Sequence, residues 1–237
     1  MNNIYIPPVV KNLLIINVLF FIGTLLYKSN GGYPFVEWFA VYYFDSPNFR
    51  IWQPITYMFM HSPVDYLHII FNMFALYSFG SILEQRWGAK KFLIFYFVTG
   101  LGALALQWAV QSFEIYNQIG HFIPNINEYN PASQKEFDLL RDIYFGPMLG
   151  ASGAIFGLLV GFGMLYPNAE LLIMFIPVPV KAKYIIPIYI IIELVLGVGK
   201  FQGDSVAHYA HLGGALIGFI LVKIWKDKND TFYTLYE

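Results

Sequence analysis

Apolar stretches separated by polar runs dominate this chain. Six of them, at about 10–27, 64–83, 91–109, 150–166, 184–199 and 205–225, approach the ~17–25 residues that cross a bilayer as a helix. The fourth and fifth are short and Gly-rich or flanked by Pro, so their edges are the least sharply marked. Between them, "LLIMFIPVPVKAKY" reads as an extended connection lying against the membrane. Two long connections interrupt the pattern. Residues 28–63 hold Trp38, Trp52 and many Tyr and Phe, an interfacial composition. Residues 110–149 are polar, and "SQKE" within them gives Ser133 and Glu136 the spacing of a capping box. Phe137, Leu140 and Tyr144 follow at helical intervals. This predicts a short amphipathic helix, either resting on the outer membrane surface or packed as an ordinary loop helix.

Composition agrees with the pattern. The chain is 57% hydrophobic and 12% charged, against roughly 45–50% and 25% in soluble domains. The expectation is an all-α integral membrane protein of six transmembrane helices, forming a single membrane domain over 1–237. A net charge of -1 and the lack of a basic patch exclude nucleic acid as a partner and leave the lipid bilayer. Absence of Cys removes disulfides, thiolate nucleophiles and Cys-based metal sites. The N-terminal stretch has neither a basic leader nor a small-residue cleavage site, and is read as a retained first span.

Lys and Arg set the orientation. With both termini cytoplasmic, the inner side carries Lys11, Arg86, Lys90, Lys91, Lys181, Lys183, Lys223, Lys226 and Lys228. The outer side then carries Lys28, Arg50, Lys135, Arg141 and Lys200. This bias predicts both ends inside, in a bacterial cytoplasmic membrane.

Polar groups inside a bilayer are expensive and mark function or helix pairing. His68 and Asn72 lie in span two, Ser152 opens span four, and His208 and His211 lie in span six. All three spans start from the outer face. His68, Ser152 and His211 therefore share a depth of at most roughly 10 Å. His68 and Asn72 are one turn apart on one helix face, and both can donate hydrogen bonds. Ser152 sits at a helix start, where unpaired N–H groups favour an oxyanion. Gly214 and Gly218 form GxxxG beyond His211, while Gly153 and Gly157 give span four a similar strip. Such strips let two helix backbones approach closely. That approach would bring His211 within reach of Ser152, whose hydroxyl needs a base to become a nucleophile. Each piece alone has a packing explanation, and only the conjunction points to chemistry. His208 and His211 lack a third ligand, and no acidic residue is obviously placed to supply one. No metal or cofactor is expected.

Together "HIIFN", "GASGAIFG" and "AHLGGALIG", with "IWQPITYMFMHSPVDYLH" and "GSILEQRWGAKKF", resemble the rhomboid family of intramembrane serine proteases over about residues 10–225. The resemblance implies Ser152 as nucleophile and His211 as general base, a dyad with no catalytic acid. It implies oxyanion donors from the Ser152 backbone, His68 and Asn72. Gly214 and Gly218 become the close-packing glycines, and the small residues Gly150 and Gly153 keep the helix end clear. Phe156 takes a position where some members place a Tyr against the imidazole. Where the family's first loop often has Trp-Arg, this chain has Trp52-Gln53. That loses the charge-assisted bonds of an Arg, although Gln53 still donates.

Implied substrates are transmembrane proteins cut near the outer face at helix-weak residues. Implied access is lateral, past span five and a mobile gate at Gly197, Gly199 and Gly203. The 110–149 loop is placed to cap the site or bind a partner. His208, nearer the outer surface, is expected to be wetter and only supporting. Two other readings are an inactive relative that binds membrane clients and a small transporter, for which Glu193 is the only candidate charge in span five. A single Cys placed at Ser133 is expected to react with an impermeant thiol reagent in intact cells, whereas one at Ala182 is not. The reverse labelling would overturn the orientation.

Overall fold

The computed structural model describes residues 5–29, 32–123, 125–173, 176–199 and 207–225. Helix α1, Pro8–Leu26, begins at a proline that needs no hydrogen-bond acceptor. The next two N–H groups do need one. Val9 N donates to Glu84 Oε1 at 2.9 Å and Val10 N to Glu84 Oε2 at 2.8 Å. A carboxylate far along the chain thus caps α1, where the helix dipole favours negative charge. Glu84 is only 3% exposed.

The first long connection contains α2 (Pro34–Phe39) and α3 (Gln53–Thr56), followed by a 3-10 turn at Tyr57–Phe59. Span two is continuous over Tyr66–Trp87. It comprises α4 (Tyr66–Ala75), a π-helical turn at Leu76–Gly80 and α5 (Ser81–Trp87). Gly88, with φ 78°, ends it. Helix α6, Ala89–Ile119, runs for 31 residues and so is longer than the expected span ending near 109. Polar residues after Ala109 do not break a helix, and the first residue to do so is Gly120, with φ 84°. The C-terminal part of α6 holds the first loop: Trp108 Nε1 donates to Tyr42 O at 3.2 Å, and Ser112 Oγ pairs with Tyr43 OH at 2.8 Å.

Helix α7, Gln134–Phe145, starts at Ser133, whose Oγ accepts from Glu136 N at 3.2 Å. The return arm of the expected capping box lands one residue early, on Ala132 N at 2.9 Å. Leu140, Ile143 and Tyr144 are buried with Tyr43, Ile115 and Ile123, while Phe137 stays exposed. Of the two expectations, the packed loop helix describes α7.

Helix α8, Ser152–Leu165, has 14 residues. That is about 21 Å of helix, short of a ~30 Å hydrocarbon layer. Among the described residues, five helices are long and apolar enough to cross a membrane, and α8 is a shorter sixth. Strands β1 (Glu170–Ile173) and β2 (Ile176–Lys181) form an antiparallel hairpin where an extended connection was expected. Helix α9 (Ala182–Gly199) and helix α10 (His208–Trp225) follow. Residues 205–206 of the expected sixth span lie outside the described residues.

Helix α8 is the central element. It buries Gly153, Ala154, Ile155, Gly157, Leu158, Gly161 and Phe162. Helix α10 packs against both α6 and α8. On α9, Ile188, Ile191, Ile192, Leu194, Val195 and Val198 point outward and are exposed. Such a continuous apolar face is stable in lipid rather than water. The chain is an integral, multi-pass membrane protein.

Ala182 is fully buried. Silence of a thiol there would report burial rather than sidedness, and the exposed Ala89 replaces it as the inner test position. Glu84→Ala leaves two N–H groups without their acceptor, at about 1–3 kcal/mol for each buried one. Thermal unfolding in detergent should show a loss of at least about 2 kcal/mol, with a smaller loss for Glu84→Gln. Unchanged unfolding in Glu84→Ala would remove Glu84 from its role as the cap.

Candidate active site

The segment "GPMLGAS" is pinned before it becomes a helix. Met148 and Val41 exchange two backbone hydrogen bonds, at 2.9 and 2.8 Å. Gly150 N donates to Tyr57 O at 3.0 Å, and Tyr57 OH in turn donates to Gly100 O on α6 at 2.7 Å. Gly150 has φ 133°, a conformation that side chains rarely adopt. A Cβ there would also lie 2.9 Å from His68 Nε2. These anchors deliver Ser152 to the first position of α8, where its N–H has no intrahelical acceptor.

The structure brings His211 to Ser152. His211 Nε2 lies 2.7 Å from Ser152 Oγ. Helix packing makes this approach possible. A Cβ at Gly214 would land on the Gly153 carbonyl oxygen, and one at Gly218 would lie 2.8 Å from Gly157 Cα. On the other side, Cβ atoms at Gly153 and Gly157 would come within 2.5 Å of Ala103 Cβ and 2.6 Å of Thr99 Cβ on α6. Helices α6, α8 and α10 therefore meet through bare backbone. Phe156, one turn after Ser152, stacks on the His211 ring with centroids 4.4 Å apart and planes 9° apart.

The acid that seemed missing from the sequence is present. Glu193 of α9 places Oε2 2.8 Å from His211 Nδ1 and 2.7 Å from His208 Nδ1. Side-chain exposure is 14% for Glu193, 11% for His211 and 8% for His208. His208 is therefore a buried partner of Glu193, contrary to the wetter setting expected of it. One turn of α10 brings both rings to the face that meets α9. The clue was in the sequence: a lone ionisable residue inside an apolar span needs a partner, and the nearest span offers two His. These three residues form a group with metal-ligand chemistry.

His68 reaches the same loop from α4. Its Nδ1 accepts from Ser62 N at 3.4 Å, which leaves the proton on Nε2, beside Gly150. Asn72 is buried but turned toward its own helix. Its Nδ2 donates to His68 O at 2.6 Å, and Oδ1 has no hydrogen-bond partner among the described residues. One amide proton is left to donate. Sequence reasoning missed His61, which is fully buried with its ring 5.1 Å from that of His68. Burial, and then His68, push its pKa down to about 3, so this ring is neutral.

Gln53 is fully buried in the first loop. Its Oε1 accepts from Arg50 N at 2.9 Å. Its Nε2 donates toward the carbonyls of Asn48, Glu37 and Trp38 at 3.3, 3.4 and 3.5 Å. A neutral amide thus does the bracing expected of an Arg. Gly197 and Gly199 belong to α9 rather than to a loop, and Gly197 O accepts from Tyr209 OH at 3.0 Å. Gly203 lies outside the described residues.

The family model "Rhomboid domain" matches residues 48–227. An uncharacterised mitochondrial rhomboid protein of Schizosaccharomyces pombe is 28% identical over 76% of this chain and 53% of its own length. The mitochondrial Rhomboid protein 1 of Saccharomyces cerevisiae is 30% identical over 66% of this chain and 37% of its own. The Rhomboid protease AarA of Providencia stuartii is 30% identical over 72% of this chain and 54% of its own. The chain thus spans about half the length of these relatives, or less. Two of the three are named as mitochondrial, so the comparison gives no support to the expected bacterial cytoplasmic membrane. The Lys/Arg bias reads sidedness and carries no information about which membrane is crossed. A matched region covering most of the chain, shared with a named protease, on a bundle of apolar helices places this protein in the rhomboid family.

Proposed function

We propose that this chain is an intramembrane serine endopeptidase acting on membrane-anchored segments near the outer face. The observation that carries the reading is the 2.7 Å contact between His211 Nε2 and Ser152 Oγ, at a helix start and under a stacked Phe156 ring. In this mechanism His211 Nε2 takes the Ser152 proton while Oγ attacks the scissile carbonyl carbon. The resulting oxyanion faces the Ser152 N–H and the Nε2–H of His68, with the remaining amide proton of Asn72 as a third donor. Collapse breaks the C–N bond, and His211 returns its proton to the leaving amine. Water, with His211 again as base, then hydrolyses the acyl ester.

The short α8 supports the reading physically. A helix that does not fill the hydrocarbon layer starts below its surface, and its unpaired N–H groups need polar company there. Water entering from the outer side would supply that company and the hydrolytic reagent. A helical substrate must unwind to present its carbonyl, which favours helix-weak residues at the cut.

An active-site-directed fluorophosphonate should label the wild-type protein through Ser152. Labelling is expected to vanish in Ser152→Ala, to fall severely in His211→Ala and to largely survive in His208→Ala. Loss in His208→Ala with retention in folded His211→Ala would reverse the assignment of the base. An inactive client-binding relative would show no labelling in any form. Among the oxyanion donors, His68→Ala should lower turnover of a single-span substrate by about 10²–10³-fold. Asn72→Ala should cost less, because its amide is already engaged with the helix. Equal turnover in His68→Ala and wild type would return His68 to a packing role.

A further inference from the structure

His211 has two ring nitrogens, and the mechanism above uses one. Nε2 faces Ser152, while Nδ1 lies 2.8 Å from Glu193 Oε2. The same oxygen lies 2.7 Å from His208 Nδ1. An ionised carboxylate only accepts hydrogen bonds, so both rings must present N–H to it. A neutral His211 that donates from Nδ1 carries a bare lone pair on Nε2. That lone pair is what the Ser152 hydroxyl needs as its proton acceptor.

We propose that Glu193 is a positioning residue for His211, holding the ring in the tautomer and orientation that let it deprotonate Ser152. The proposal rests on the serine-protease reading and adds a third member to it from a helix outside the Ser152–His211 pair. The Ser152 Oγ–H bond breaks, an Nε2–H bond forms on His211, and Nδ1–H stays where it is. The ring becomes positive, and the Glu193 carboxylate offsets that charge at hydrogen-bond distance in a largely buried setting. His208 supplies the second N–H that keeps the carboxylate satisfied and still. Phe156 fixes the plane of the imidazole, Glu193 fixes its rotation within that plane, and Ser152 meets the atom left over.

The same three residues have the chemistry of a metal site, and metal content separates the two arrangements. Ligand atoms around a tetrahedral zinc with ~2.0–2.1 Å bonds stand about 3.3 Å apart. The observed separations of 2.7 and 2.8 Å are those of hydrogen bonds. A metal on His211 Nδ1 would also move the ring proton to Nε2, where it would face Ser152 as a donor and abolish the base.

The test measures fluorophosphonate labelling rates and histidine ¹⁵N spectra on the full chain in detergent or lipid discs. A Gln at 193 keeps the shape but can donate its amide N–H to His211 Nδ1, driving the ring to the wrong tautomer. Glu193→Gln is expected to slow labelling by about 10²-fold. Wild-type His211 is expected to show a protonated Nδ1 and a bare Nε2, and Glu193→Gln to lose that pattern. Labelling of Glu193→Gln at the wild-type rate would overturn the proposal. So would a wild-type His211 protonated on Nε2, a result that needs no variant to fold. One zinc per wild-type chain, lost in Glu193→Gln, would overturn it in favour of a metal site. Failure of the wild type to label, with the expected spectrum, would strike the serine-protease reading and leave the Glu193–His211 bond standing.

Discussion

The site depends on how closely two helix backbones meet. Helix α10 lies on α8 with Gly214 against the Gly153 carbonyl and Gly218 against Gly157. A single methyl group at either position would force the helices apart. The His211–Ser152 contact spans only 2.7 Å, and misplacement by about 1 Å is enough to cost a large share of a rate that depends on orientation. Without a solvent-driven hydrophobic effect between helices in lipid, such contact must come from fit, and small residues supply it. Helix α6 closes the arrangement from the far side, where Ala103 and Thr99 leave no room for a larger group at Gly153 or Gly157.

Around this three-helix contact, buried polar groups are mostly satisfied in ways that also fix geometry. Glu84 caps α1 from α5 and thereby ties the first span to the second. Tyr57 joins the first loop to α6 at one end and to Gly150 at the other. Glu193 occupies both His rings of α10 and ties α9 to that helix. Each bond replaces water that the surroundings do not offer, so each is harder to break than its surface equivalent.

Much of this could be read from the sequence because lipid makes strong demands. Apolar runs of the right length and a capped loop helix follow from local pattern, whereas the expected extended link after α8 folds back as a hairpin. Counting residues from the span starts predicts one level for His68, Ser152 and His211, and their side chains do gather around Gly150 and Ser152. What escaped is what local pattern does not encode. The end of apolarity near Ala109 does not end α6, because helix formation tolerates Gln, Ser and Glu and stops only at Gly120. Glu193 was noticed only as a stray charge, because its partners lie on another helix and their rotation about α10 sets the contact. Asn72 was assigned by its position on a face, but its rotamer turns one amide proton back to His68 O. His61, in a connection between elements, gave no periodic signal at all.

Gln53 has a consequence for how the first loop responds to its medium. It holds four backbone partners with an uncharged amide and is fully buried. A guanidinium in that place would attract the same carbonyls more strongly, but it would carry a charge whose interactions with solvent ions change with their concentration. With the amide, the part of the loop's grip that runs through Gln53 is a matter of dipoles alone. The bracing at Gln53 is accordingly built to hold across dilute and concentrated salt, whichever side of whichever membrane the first loop faces.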